Sequence, residues 1–90
     1  KALEFAPQDA YIIDSMGWLE FRMGNSTEAL RLLQSAYQAR PDAEIAAHLG
    51  EVLWTLGQHE QAQAIWKEGL AVSPQNDTLN QTIQRLRKRP

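Results

Sequence analysis

The chain is expected to fold as an all-α array of antiparallel helix pairs, and three observations carry that expectation. Small and helix-breaking residues recur at one fixed offset, which is the same for Gly17/Gly50, Gly24/Gly57, Ala29/Ala62, Ala36/Gly69 and Pro41/Pro74. Self-similarity at a fixed period of this size marks a helical repeat. Between these positions, apolar residues recur at three- and four-residue spacing, the period of an amphipathic helix rather than of a strand. The punctuation also falls where helix pairs need it, with glycine between the paired helices and proline after the second.

Residues 1–7 read as the last turns of a preceding pair. Ala2, Leu3 and Pro7 precede Ala36, Tyr37 and Pro41 by nearly the same offset, so the array is expected to continue upstream. Asp9 is placed to cap a first helix beginning near Ala10. Ile12, Ile13, Met16, Leu19 and Met23 follow at helical spacing. Gly17 in mid-helix costs about 1 kcal/mol against alanine, which implies a neighbouring helix at close range. Gly24 suits the left-handed terminal position. Asn25 or Ser26 then caps the second helix, with Glu28 giving a capping-box pattern. That helix carries Ala29, Leu30, Leu32, Leu33 and Ala36 and stops before Pro41, closing a first unit of residues 9–41.

The second unit, 43–74, repeats the plan. Ala43 to Leu56 carries Ile45, Ala46, Leu49, Val52, Leu53 and Leu56, with Gly50 inside and Gly57 as the stop. Glu60 to Val72 carries Ala62, Ile65, Trp66, Gly69 and Leu70, and Trp66 is expected in the core. A last helix within 76–89, from about Asp77 to Lys88, has only the narrow stripe Leu79, Ile83 and Leu86. One packed face and one wet face are what the end of a helical array requires.

Composition bounds the function. Hydrophobic content of 43% and charged content of 22% are ordinary for a globular chain and exclude long-range disorder. No apolar run approaches the ~20 residues needed to cross a bilayer, and the first residues carry no signal-peptide pattern, so no membrane insertion by these residues is expected. The absence of cysteine fits the cytoplasm and does not exclude the periplasm. The net charge of −2 is uneven: residues 1–84 hold five basic against eleven acidic side chains (−6), while Arg85, Arg87, Lys88 and Arg89 contribute +4. An acidic body argues against nucleic acid as a partner. The basic tail reads as a solvated helix end matched to the macrodipole.

The spacing x-x-Leu-Gly, then Gly, then Ala-x-x-x-aromatic, then Pro resembles the tetratricopeptide repeat. Ile13-x-x-Met16-Gly17 and Ala46-x-x-Leu49-Gly50 match its first helix; Ala29-x-x-x-Leu33 and Ala62-x-x-x-Trp66 match its second; Pro41 and Pro74 match its closing proline. Ile13 and Ala46 stand where that family usually has Trp, and Glu20 where it usually has Tyr. The resemblance implies a right-handed solenoid of antiparallel pairs ending in a capping helix. The phrase Tyr11-Ile-Ile-Asp14-Ser15-Met16-Gly17-Trp18, followed by Phe21-Arg22-Met23-Gly24, is also similar to the C-terminal repeats of large proteobacterial tetratricopeptide lipoproteins. That resemblance implies a periplasmic location on the outer membrane through an upstream anchor, and a periplasmic protease as partner.

Arrays of this kind bind peptides or partner helices along the concave groove lined by the first helix of each pair. The resemblance places Tyr11, Asp14, Ser15, Trp18, Phe21 and Arg22 there from the first unit, and Ala47, His48, Glu51, Trp54 and Thr55 from the second. Trp18 and Trp54 also lie off the main apolar stripes, as exposed binding anchors do; packing against the adjacent helix pair is the alternative for each. Some members grip acidic C-terminal tails through Lys, Asn and Arg. Asp14 and Glu51 have the wrong charge for that, so an aromatic, mildly acidic groove is expected to suit an apolar or basic segment.

Catalysis is not expected. Asp14, Ser15 and His48 could be written as a triad, but a serine on a helix lacks a nucleophile elbow and an oxyanion loop. His48 and His59 are the only histidines, are expected on different helices, and form no metal-ligand spacing with cysteine or carboxylates. No cofactor or metal is implied. The expected function is non-catalytic protein–protein interaction as a scaffold or adaptor. Its alternative is self-association through an N-terminal edge exposing apolar residues of the Leu3–Phe5 and Ile12–Met16 type.

Overall fold

Five helices follow one another in the computed structural model, which describes residues 7–87: α1 (Pro7–Arg22), α2 (Ser26–Ala39), α3 (Ala43–Thr55), α4 (His59–Val72) and α5 (Asp77–Arg87). The expected end of a preceding pair, including Leu3–Phe5, lies outside the described residues apart from Pro7, as do Lys88 and Arg89 of the basic tail. Helices α1 and α2 form one antiparallel pair, α3 and α4 the next, and α5 packs along α3. The resulting slab measures 45 × 29 × 19 Å.

The two turns within pairs are built identically. Gly24 (φ +91°) and Gly57 (φ +87°) take the left-handed conformation that a side chain resists. The next amides reach back five residues, Asn25 N–H to the Glu20 carbonyl at 2.8 Å and Gln58 N–H to the Leu53 carbonyl at 2.9 Å, which is the Schellman closure. Arg40 and Ser73, each before a proline, leave the helical region (φ −150° and −147°) and end α2 and α4.

The helix starts depart from expectation in two places. Helix α1 is already formed at Pro7, the first described residue, so Asp9 lies inside the helix instead of capping it. At α2, Asn25 is the cap residue but its side chain makes no capping bond. It donates to Glu20 Oε1 at 2.8 Å, and Glu28 pairs with Arg31 rather than turning back on the cap. Asp42 and Asn76 do cap, accepting from the amides of Glu44 and Leu79 at 2.8 Å each.

Helix α3 is the buried centre. Nine of its 13 residues are buried, Ile45, Ala46, Ala47 and Val52 completely. Trp66 fills the gap between α3 and α4 at 2% exposure, as expected of it. The mid-helix glycines explain how the helices come so close. A Cβ on Gly50 would overlap Trp66 Nε1 and lie 2.5 Å from its Cδ1; one on Gly17 would lie 2.8 Å from Leu33 Cγ. On α5, Leu79 and Leu86 are buried and the outer face is wet.

Met16, expected among the scaffold residues, is 50% exposed, and Ile12, Leu19 and Met23 are exposed with it. Their counterparts one repeat later are Ile45, Leu49, Val52 and Leu56, the first three of which are buried. Helix α3 has the α1–α2 pair lying over its stripe; among the described residues nothing lies over that of α1. Gly50→Ala is expected to cost about 3 kcal/mol in urea unfolding by overpacking, far more than the ~1 kcal/mol alanine returns in helix propensity. In a Trp66→Leu background the same change should cost less than about 1 kcal/mol, since the two positions are coupled by contact.

Candidate partner-binding groove

First helices of successive pairs lie side by side as α1, α3 and α5, and polar side chains join them at a constant sequence separation. His48 Nδ1 meets both oxygens of Asp14, at 2.9 and 3.1 Å. Arg85 Nη2 donates to Glu51 Oε1 at 2.7 Å, and Thr78 Oγ1 donates to Glu44 Oε2 at 3.2 Å. Asp14 and Glu51 are both buried, at 8% and 9% exposure. An ionised carboxylate only accepts, so His48 Nδ1 carries the hydrogen toward Asp14 and Nε2 is left over. The Glu51 carboxylate in turn holds the Arg85 guanidinium above its ordinary range, chiefly through that hydrogen bond.

On this ladder sits an aromatic shelf. Trp18 stacks on His48 with ring centres 4.2 Å apart and planes at 22°, and touches Phe21 at 5.2 Å. Asp14, Ser15, Trp18, Leu19, Arg22 and His48 together line an open cleft of about 260 Å³. Five of the sequence-derived candidates therefore meet: Asp14, Ser15, Trp18, Arg22 and His48. Phe21 supports the shelf from the core side. Leu19, which the sequence assigns only to the apolar stripe of α1, lines the cleft as well.

Other candidates go elsewhere. Tyr11 is tied to the α2–α3 turn: its hydroxyl donates to Asp42 Oδ2 at 2.7 Å and accepts from Arg40 Nε at 2.9 Å. Trp54 is stacked between His59 (3.9 Å) and Trp66 (5.4 Å), so its ring belongs to the α3–α4 pair rather than to this cleft. Ala47 is fully buried. Glu51 is spoken for by Arg85, a partner detectable in sequence only through the separation it shares with Asp14 and His48. Thr55 is exposed at the end of α3.

A larger cleft of about 400 Å³ opens between α2, α3 and α4, with Leu49, Leu53 and Ile65 below and Gln34, Gln38 and Gln61 around it. Tyr37 at its side donates to Glu68 Oε1 at 2.8 Å, and burial followed by that carboxylate pushes its phenol up to about 12. This cleft offers glutamine amides but no charged side chain and no stacked ring, so it is the poorer site despite its size.

The Asp14–His48 contact does not make a hydrolytic triad. No hydrogen bond joins Ser15 to His48 among the described residues, and Ser15 lies in mid-helix, where backbone amides are committed to the helix and cannot form an oxyanion hole. Among the described residues, no group of three or more His, Cys, Asp or Glu could hold a metal ion, and no helix is long and apolar enough to cross a membrane.

Comparison with known proteins agrees with this architecture. Residues 20–86 match the tetratricopeptide repeat. Over 86 residues, 96% of its length, the chain is 50% identical to a TPR repeat-containing protein of Pseudomonas aeruginosa, and it spans 15% of that protein's length.

The Glu51–Arg85 link yields a directional prediction. Arg85→Ala strands a buried carboxylate and should cost about 2 kcal/mol in urea unfolding, whereas the neutral isostere Glu51→Gln should cost under about 1 kcal/mol. Combining the two should be less harmful than Arg85→Ala alone.

Proposed function

The chain belongs to the tetratricopeptide repeat family, and on that premise we propose that it binds a partner protein through the groove of α1 and α3, anchored in the cleft around Trp18. Repeats of this family generally mediate protein–protein interaction and are generally non-catalytic. The observation that carries the finer reading is the Trp18–His48 stack, held in place by Asp14. A half-buried indole whose neighbour is itself pinned by a buried carboxylate loses little side-chain entropy when a ligand arrives. Aromatic rings in such rigid settings are the usual anchors of protein interfaces.

A second reading is favoured by the stripe Ile12, Met16, Leu19 and Met23, which is half-exposed or more. It reproduces the pattern that α3 buries against the preceding pair, so it is chemically suited to receive a helix, and a second copy of the chain can supply one. Leu19 belongs to both the stripe and the cleft, so the two surfaces adjoin.

Two measurements separate these readings. Trp18→Ala should reduce partner retention in a pull-down at least tenfold while leaving the urea midpoint nearly unchanged. Trp54→Ala should do the reverse, losing roughly 1–3 kcal/mol of stability. Equal unfolding by both changes would sink the groove reading. Sedimentation equilibrium tests the other: self-association should grow with concentration and vanish in Met16→Glu, and a monomer at millimolar concentration would refute it.

A further inference from the structure

We propose that the Trp18 cleft is selective for an acidic segment, with an apolar or aromatic side chain seated on the Trp18 ring and a neighbouring side-chain carboxylate held by Arg22. This rests on the groove reading above and adds to it the charge of the ligand. This reverses the sequence expectation of an apolar or basic segment, which counted Asp14 and Glu51 as open acids; with Arg85 brought to Glu51, the groove's count against Arg22 and Arg85 is even. Burial breaks the tie. The Asp14 side chain is 11% exposed with both oxygens turned toward His48, and that of Glu51 is 12% exposed and bonded to Arg85. Arg85 itself is 51% exposed. Arg22 is exposed and makes no ion pair among the described residues. It follows Trp18 by one helical turn, which places both on one face of α1, and both line the cleft.

Asp14 and Glu51 are therefore buried and already partnered, while the cations reach water; Glu44, the exposed carboxylate of the ladder, accepts from Thr78 and does not line the cleft. Glu20, the next carboxylate along α1, accepts from Asn25 and does not line the cleft. A lysine brought to the Trp18 shelf would meet Arg22 and find no open carboxylate. A glutamate would meet a guanidinium with unused donors, in the geometry that favours paired hydrogen bonds. The net charge of −2 opposes this only at long range, and at 0.15 M salt that opposition is screened beyond about 8 Å.

The test uses three short fluorescein-labelled peptides that differ only in the two residues flanking a single phenylalanine: both Glu, both Gln or both Lys. Fluorescence anisotropy at 0.15 M salt should rank them Glu, Gln, Lys, with about a tenfold gap between the extremes, the size expected when partly exposed attraction is exchanged for repulsion. In Arg22→Gln, whose exposed position leaves folding intact, the gap should shrink to about twofold or less. A lysine peptide that binds as well as or better than the glutamate peptide overturns the proposal while leaving the groove standing. So does a glutamate preference that survives Arg22→Gln. Failure of all three to bind at millimolar concentration overturns the groove reading and this inference together.

Discussion

The indole of Trp66 occupies the space where any side chain on Gly50 would have to stand, and the position of α3 depends on that contact. Removing the Cβ lets α4 seat its largest side chain against the α3 backbone, so the pair closes at short range and Trp66 becomes almost completely buried. The other helical glycines act similarly. Gly17 admits Leu33 from α2, and Gly69 admits Leu79 of α5 together with Ala46 of α3. Each glycine forfeits about 1 kcal/mol of helix propensity, an amount exceeded by burying a single large apolar side chain. With both pairs closed this tightly, α3 is left with little surface of its own.

That closeness also fixes the register of the polar ladder. Apolar packing alone tolerates small slips between helices, because one aliphatic surface resembles another. Buried carboxylates do not. If α1 or α5 slid along α3, Asp14 or Glu51 would remain in a poorly solvated place without His48 or Arg85, at the cost of an unpaired buried charge. The ladder is better understood as a constraint on alignment than as a source of net stability, because desolvation offsets most of what each pair gains. The same constraint sets the geometry of the Trp18 cleft, since it is Asp14 that orients the His48 ring on which Trp18 stacks.

The scaffold is legible in the sequence because its devices are local. A glycine at positive φ, a proline after an extended residue and an apolar period of 3.6 each announce themselves within a few positions, so all five helices and both tight turns can be anticipated. The departures are also local ones of competition. Asn25 can bond to its own helix start or to Glu20, and Asp9 can cap a helix or lie within it. The site is harder to read. Which way a half-buried tryptophan points depends on the neighbouring helix, so the periodicity that sets Trp18 and Trp54 apart from the core cannot tell them from each other. Glu51 looks like a free acid because its partner is remote in the sequence, on a helix whose only visible task is to cap the array.

The different fates of those tryptophans follow from repeat position rather than from residue type. Trp54 corresponds to Phe21 in the preceding unit, and both rings lean on the core of their own pair. Trp18 corresponds instead to Glu51, and His48, on which Trp18 stacks, to Ser15. One ladder therefore presents an aromatic shelf between α1 and α3, and an ion pair between α3 and α5. A partner lying along the groove would cross from a surface suited to a flat, apolar group to one suited to a charged group. The repeat keeps its glycines and prolines in step because the packing demands them. It leaves the groove-facing positions unequal, and in that inequality specificity can reside.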